Sequence, residues 1–310
     1  MKDTVVFIVG PTAVGKSEVA LRLAKKLNAE IISCDSMQIY RGMDIITSKP
    51  TPAMRRKIRH HLIDIVSPAA EYNVSTFRRE ALKKIEEIIK KGKTPLFIGG
   101  TGLYMSILID GIFKAKAQNK KIRQGLYEEL EKFGRERLYD RLKKVDPEAA
   151  ANIHPNDSRR IIRALEVFET TGKTISALKQ QRKGLGEKYD AVIFCLNMDR
   201  QELRDRIRRR VDKMFSRGLA AEVKKLLKKK LSKTASQAIG IKELKGYFDG
   251  LYDLERTREI ITQSTCQYAK RQLTWFRKDK RIQWIQIGSK ETSQSIAKKI
   301  KEKINWKKLY

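Results

Sequence analysis

Apolar and β-branched residues run without interruption from Thr4 to Val9 and stop at Gly10-Pro11; apolar positions then recur at helical spacing from Ser17 to Leu27. That order predicts a strand, a loop and a helix. A second short strand is predicted at Ala29 to Ser33 and a third at Thr94 to Ile98, which ends at Gly99-Gly100. Between them, Val74 to Lys90 gathers its apolar residues on one helical face, with Gly92 just past its end. Strands alternating with helices through short links predict an α/β fold on a parallel, doubly wound sheet.

From Phe113 to Gly186 the strand signal ceases, and Asn119 to Lys144 and Asp146 to Thr171 are polar, basic and helically periodic. An all-helical domain is therefore expected at 113–186, inserted between two parts of the core at 1–112 and 187–310. Tyr189 to Leu196 restores a strand, and Arg200 to Lys230 predicts one or two strongly basic helices. Arg256 to Arg277 predicts another helix, and the alternation from Arg281 to Ile287 a late strand. No internal repeat is evident, and Lys228 to Lys230 reads as a solvated charge run.

Composition narrows the function classes. The chain has 310 residues, 41% of them apolar and 34% charged, which excludes a fibrous polymer and a wholly disordered chain. Lys and Arg number 68 against 36 Asp and Glu, a formal charge of +32 that implies a polyanionic partner. Residues 1–110 hold +7 of it and residues 111–310 hold +25, so the polyanion is expected mainly against the second part. Cys34, Cys195 and Cys266 are far apart, with no C-x-x-C pair, and His60, His61 and His154 lack ligand spacing. Neither a disulfide framework nor a structural metal site is expected. The run Val5 to Val9 is too short for a signal peptide and no stretch is long enough to span a membrane, so the expectation is a cytoplasmic protein without a membrane partner.

Chemistry enters at Gly10-Pro11-Thr12-Ala13-Val14-Gly15-Lys16-Ser17, which fits G-x-x-x-x-G-K-[ST] between a strand and a helix. Small residues let backbone N–H groups point at phosphate oxygens, the helix N-terminus adds a favourable dipole, and Lys16 supplies a full charge. Ser17 is suited to a phosphate-bound Mg²⁺. The strand-end Asp of most P-loop hydrolases is missing, since Thr94 to Ile98 runs into Gly99-Gly100-Thr101-Gly102. Leu62-Ile63-Asp64-Ile65 is its nearest imitation. Instead, Asp35 closes the second strand, at the sheet edge that faces the ligand crevice, where a carboxylate suits a base for an attacking acceptor; turn capping is the competing reading. The Gly99 to Gly102 string offers backbone and hydroxyl donors to the same phosphates, or a tight turn. Arg206 and Arg210 share one helix face, and either is within reach of a leaving diphosphate.

These strings together resemble one family, the tRNA dimethylallyltransferases or tRNA isopentenyltransferases. The resemblance runs through GPTAVGKS (10–17), DSMQIYRGMDI (35–45) with Thr47 to Pro50, HHLIDI (60–65), FRREAL (77–82) and GGTGLY (99–104). It continues in IHPNDSRRIIRALEV (153–167), GLAAEV (218–223), QAIGIKEL (237–244) and KRQLTWFR (270–277), and so covers nearly the whole chain. It implies a P-loop NTPase-like core with an inserted helical tRNA-binding domain. The activity implied is transfer of the dimethylallyl group of dimethylallyl diphosphate to N6 of the adenosine 3′ of the anticodon, in tRNAs reading codons that begin with U. By resemblance, Asp35 is the general base, Thr101 contacts the diphosphate, Lys16 and Arg210 stabilise its departure, and Ser17 holds Mg²⁺. Asp35, Ser36, Met37, Gln38 and Thr101 would touch the tRNA, as would Arg123, Arg159, Arg160, Ile161, Ile162 and Arg163. Ala238, Ile239, Gly240, Ile241, Lys242 and Glu243 would meet the anticodon stem-loop. Ile46 and Ser48 stand where the family's string has Gly and Ala, a departure expected to alter loop shape and not chemistry.

A stacked base cannot reach a buried diphosphate, so the adenosine must be drawn out of its loop, a use for the basic helical insert. Two other readings stay open from the residues alone: a P-loop small-molecule kinase in which Asp35 activates a hydroxyl, and a non-catalytic RNA-binding protein. A monomer is expected.

Overall fold

The structure is a computed structural model that describes residues 2–113 and 119–304. The chain divides into two compact units, Met1–Ile109 with Leu185–Tyr310, and Asp110–Gly184. The sequence placed the insert at 113–186; its residues 114–118, and 305–310 of the core, lie outside the described residues.

In the first unit β1 (Asp3–Val9) leads into α1 (Lys16–Lys26), β2 (Ala29–Ser33), α2 (Pro52–Lys57) and β3 (His60–His61). Then come α3 (Val74–Ile89), β4 (Thr94–Ile98) and α4 (Gly102–Ile109). The second unit holds α5 (Lys120–Val145), α6 (Pro147–Asn152), α7 (Ser158–Thr171) and α8 (Ile175–Gln180). The first unit resumes with β5 (Tyr189–Asn197), α9 (Arg200–Ser216), α10 (Leu219–Leu227), α11 (Ile241–Phe248), α12 (Leu254–Phe276), β6 (Gln283–Gln286) and α13 (Ser293–Lys303).

The six strands form one wholly parallel sheet in the order β3-β2-β4-β1-β5-β6. β1 is central because its residues from Thr4 to Val9 are buried on both faces, the pattern of a parallel strand covered by helices above and below. Val6 pairs with Leu96 on one side and Val192 on the other, and Phe7 stacks on Phe97 at 4.7 Å between centroids. Each such buried aromatic or branched side chain contributes about 1.5–3 kcal/mol. Parallel strands share one polarity, so the segments after β1, β2 and β4 emerge at the same edge, with the loop after β4 between the other two.

Two readings of the pattern change. The periodic stretch from Asp146 to Thr171 is two helices, α6 and α7, because Pro155 lacks the N–H to carry a helix through 153–157. Gly134, at φ +78° and ψ 172°, interrupts α5 by leaving the helical conformation. Six elements were not predicted. β3 has two residues, α4 is apolar on nearly every side and so shows no period, α2, α8 and α11 have six to eight residues, and α13 is a late helix of 11.

The edge strand β3 is tied in by charge. His61 Nε2 meets Glu30 Oε2 at 2.7 Å and Lys93 Nζ donates to Glu30 Oε1 at 3.0 Å, while Glu30 is only 3% exposed. Burial alone would raise the Glu30 carboxyl, but the hydrogen bonds from His61 and Lys93 and the nearby Lys91 hold it down at about 2. A carboxyl lowered in the folded state stabilises above its unfolded pKa and loses that contribution as pH falls towards 2. Glu30→Ala is expected to cost about 2 kcal/mol at pH 7 in urea unfolding. The gap to the wild type should narrow steadily from pH 4.5 downwards.

Candidate active site

The loop after β1 wraps a cavity of about 610 Å³ at the strand-end edge of the sheet. Gly10 has no substitute, since its φ is +141° and a Cβ there would lie 2.6 Å from the Leu196 carbonyl oxygen on β5. Thr12, Ala13, Gly15, Lys16 and Ser17 line the cavity, whereas Gly10, Pro11 and Val14 are buried behind them. Lys16 Nζ donates to the carbonyl oxygens of Gly10 at 3.0 Å and Pro11 at 2.7 Å. Burial, then repulsion from Arg210, brings the Lys16 ammonium down to about 8, with Asp35 opposing. Burial also lowers Arg210, again against the pull of Asp35.

Asp35 leaves β2 into this space. Its Oδ1 accepts from the Met37 N–H at 2.9 Å and the Gln38 N–H at 3.4 Å, so half of the carboxylate does serve as the turn cap. Oδ2 has no hydrogen-bond partner among the described residues, and Asp35 lines the cavity. Gln38 is held in turn, its Nε2 donating to the Thr47 carbonyl and its Oε1 accepting from the Ser33 hydroxyl.

In the glycine string after β4 two backbone donors are spent on the protein itself. The Gly99 N–H donates to the Ile8 carbonyl and the Thr101 N–H to the Cys34 carbonyl, so neither backbone donor is available to a phosphate. Its glycines allow close approach: a Cβ would lie 2.0 Å from the Cys34 oxygen at Gly99, 2.0 Å from Gln272 Nε2 at Gly100, and 2.2 Å from Trp275 Cδ1 at Gly102. The half-buried Thr101 has a hydroxyl that accepts from the Ser36 N–H at 3.1 Å and is hydrogen-bonded to Tyr268.

α12 supplies residues that the sequence reading missed. Gln272 Oε1 accepts from the Thr12 N–H at 2.8 Å while its Nε2 donates to the Gly100 carbonyl at 2.9 Å, so one buried amide joins the loops after β1 and β4. Tyr268 lines the main cavity and a second one of about 310 Å³, whose apolar wall includes Met37, Ile46, Val211, Met214 and Ile261. Thr12, Asp35, Thr47, Arg210 and Tyr268 line both. The period of α12 in sequence marks it as amphipathic, but nothing in that period says which polar residue turns inward.

Arg210, on α9, lines both cavities together with Asp35. Arg206 lines the cavity near Gly15 and is paired with Glu202 at 2.9 Å. Ser48 requires a correction. Its hydroxyl accepts from Arg210 Nε at 3.0 Å, so this departure touches the chemistry and not the loop alone. Ser48 also sits at φ +47°, a conformation that costs an L-residue about 1 kcal/mol. Asp64, the nearest imitation of a hydrolase Asp, is bound to Lys49 and to Arg55. Among the described residues no group of three or more His, Cys, Asp or Glu gathers to hold a metal ion, and Ser17, the residue whose place in the motif suits a phosphate-bound Mg²⁺, lines the cavity.

The residues matched to tRNA contact divide by burial. In the second unit Arg159 and Arg160 are exposed, but Ile161 and Ile162 are 0% and 1% exposed and belong to its core. Arg123 and Arg163 both pair with the buried Glu166, at 2.7 and 2.9 Å. Of Ala238 to Glu243, Ala238 and Ile239 line the second cavity, Ile241 is buried, Lys242 is exposed, and Glu243 accepts from the Gly240 N–H at the start of α11. The charge also shifts: residues 185–310 carry +17, against +7 for 110–184 and +8 for 1–109. The base excess belongs to the P-loop unit's own C-terminal part, and α9 above all, more than to the helical insert.

The family model for IPP transferase matches residues 38–279. The chain belongs to the IPP transferase family. It is 47% identical to a tRNA dimethylallyltransferase of Bacillus subtilis over 92% of this chain and 91% of that one. With the tRNA dimethylallyltransferase of Carboxydothermus hydrogenoformans it shares 46% identity over 97% of both chains. Among solved structures, a full-length tRNA isopentenylpyrophosphate transferase of Bacillus halodurans matches with a TM-score of 0.70, 40% identity, and 99% and 98% of the two chains covered. A eukaryotic dimethylallyltransferase captured acting on tRNA matches with a TM-score of 0.82, 32% identity, 96% of this chain and 77% of that one. This IPP transferase thus has the P-loop NTPase-like core that its motif predicts.

A diphosphate bound beside Lys16 would favour the protonated amine, so its binding above pH 8 would draw in a proton. Affinity for dimethylallyl diphosphate is expected to fall by about tenfold per pH unit as pH rises past 8. Isothermal titration from pH 7 to 9.5 measures it, and Lys16→Met should bind weakly at every pH without that fall.

Proposed function

We propose that the protein transfers the dimethylallyl group of dimethylallyl diphosphate to N6 of the adenosine immediately 3′ of the anticodon, in tRNAs reading codons that begin with U. The products are N6-(dimethylallyl)adenosine and diphosphate. The observation that carries this reading is the junction of two cavities at Asp35 and Arg210, one lined by the P-loop and the other partly apolar. A diphosphate on one side and a base on the other would bring their reacting atoms together beside a carboxylate.

The bond from adenine N6 to C1 of the dimethylallyl group forms as the bond from C1 to the diphosphate oxygen breaks. An aromatic amine is a poor nucleophile, so the barrier falls mainly through positioning and through charge on the leaving group. Lys16 and Arg210 receive the negative charge that develops there, and Asp35 Oδ2 takes the proton released from N6. Thr101 acts through Ser36 and Tyr268, holding the turn that presents Asp35. Mg²⁺ held by Ser17 and the diphosphate oxygens would supply further charge neutralisation. The enzyme acts in the cytoplasm as a monomer. The kinase reading, in which Asp35 activates a hydroxyl, is disfavoured by the relatives, which are tRNA dimethylallyltransferases.

Incubation with Mg²⁺, unmodified tRNA and dimethylallyl diphosphate should yield N6-prenylated adenosine after digestion, detected by mass spectrometry only in the complete mixture. Turnover of ATP without tRNA, and no prenylated base, would sink the reading. Asp35→Ala is expected to lower transfer by about a hundredfold or more. It should leave tRNA affinity within about twofold, as judged by filter binding. Binding of tRNA should also weaken steeply between 50 and 200 mM salt, because many Lys and Arg displace counterions.

A further inference from the structure

We propose that Glu222 is a positioning residue for Arg210, acting through the segment 44–48. The inference rests on the functional reading above. Glu222, in the GLAAEV string to which no role has been given, turns its carboxylate onto three successive backbone N–H groups. It accepts from Asp44 at 3.1 Å, from Ile45 at 2.9 and 3.0 Å, and from Ile46 at 2.9 Å. Consecutive N–H groups converging in this way form an anion-binding nest, here filled by the protein's own side chain.

Two residues further on, the Ser48 hydroxyl accepts from Arg210 Nε at 3.0 Å. With Nε committed, the two terminal nitrogens of the guanidinium remain for a bound diphosphate. Arg210 lies on α9 and Glu222 on α10, joined by a turn at Gly218 with φ +91°. One helical hairpin therefore grips the segment at two points. The other side is tied by Lys49 Nζ, which donates to the Tyr40 carbonyl at 2.6 Å and Asp44 Oδ1 at 2.8 Å, and by the Thr47 hydroxyl, which donates to the Met43 carbonyl. A carboxylate on three N–H groups holds the segment in place, the segment holds Ser48 at its left-handed φ, and Ser48 fixes Arg210.

The test is titration with inorganic diphosphate and Mg²⁺ by calorimetry, alongside the transfer assay. Glu222→Ala is expected to weaken diphosphate binding by about tenfold, and Glu222→Gln, which keeps an acceptor oxygen, by about two- to threefold. Ser48→Ala should cost about threefold or more, and the double variant Ser48→Ala/Glu222→Ala no more than Glu222→Ala alone, because both act through one contact. In the transfer assay kcat should fall in the same order while KM for tRNA stays put. Should Glu222→Ala not fold, Glu222→Gln and Ser48→Ala decide the matter. Wild-type diphosphate affinity in these variants, or losses that simply add, would overturn the proposal. If the wild type binds diphosphate but transfers no prenyl group, the functional reading fails and the affinity series still judges Glu222. A wild type that binds no diphosphate overturns both.

Discussion

Two cations, Lys16 and Arg210, are held near each other in a half-buried cavity where each makes the other's charge more costly. Water is too scarce there to screen them fully, and Asp35 offsets only part of the repulsion. Such a site suits an anion: the electrostatic cost is met when the protein folds, and a bound anion would relieve it. The remaining features of the P-loop unit keep the two charges from drifting apart. Lys16 is tethered to the carbonyls of its own loop, and Arg210 to Ser48.

The tethers are themselves built from backbone. Gln272 bridges the loops after β1 and β4, Glu222 caps the N–H groups of segment 44–46, and glycines at 99, 100 and 102 let α12 and the Cys34 backbone come within contact of the strand-end loops. A buried side-chain amide or carboxylate that satisfies two or three backbone groups at once is costly to lose, so it fixes geometry better than a packing contact does. This explains why a loop-rich site keeps its shape on a rigid parallel sheet.

Much of this was legible in the chain. Strands β1, β2, β4 and β5 and the helices α1, α3, α9 and α12 follow from uninterrupted apolar runs and from helical periodicity, because local pattern decides which face is buried. The phosphate loop was legible because its glycines and its lysine are contiguous. The elements that escaped were too short or too evenly apolar to carry a period, as with β3 and α4.

The chain by itself determined the family, the phosphate loop, the position of Asp35 at a strand end and the excess of positive charge, since each is written in adjacent residues. It also carried the departure at Ser48, without its meaning. Only the tertiary structure decided that Arg210 lines both cavities with Asp35 while Arg206 lines one, that Gln272 and Tyr268 reach the main cavity and Glu222 the backbone of segment 44–46, and that Gly99 and Thr101 spend their N–H groups on the core. These choices depend on contacts between residues 67 to 260 positions apart. No local pattern encodes which polar atom a distant helix will place within 3 Å of a loop, because that is set by how the sheet orders its strands and how the helices pack upon it.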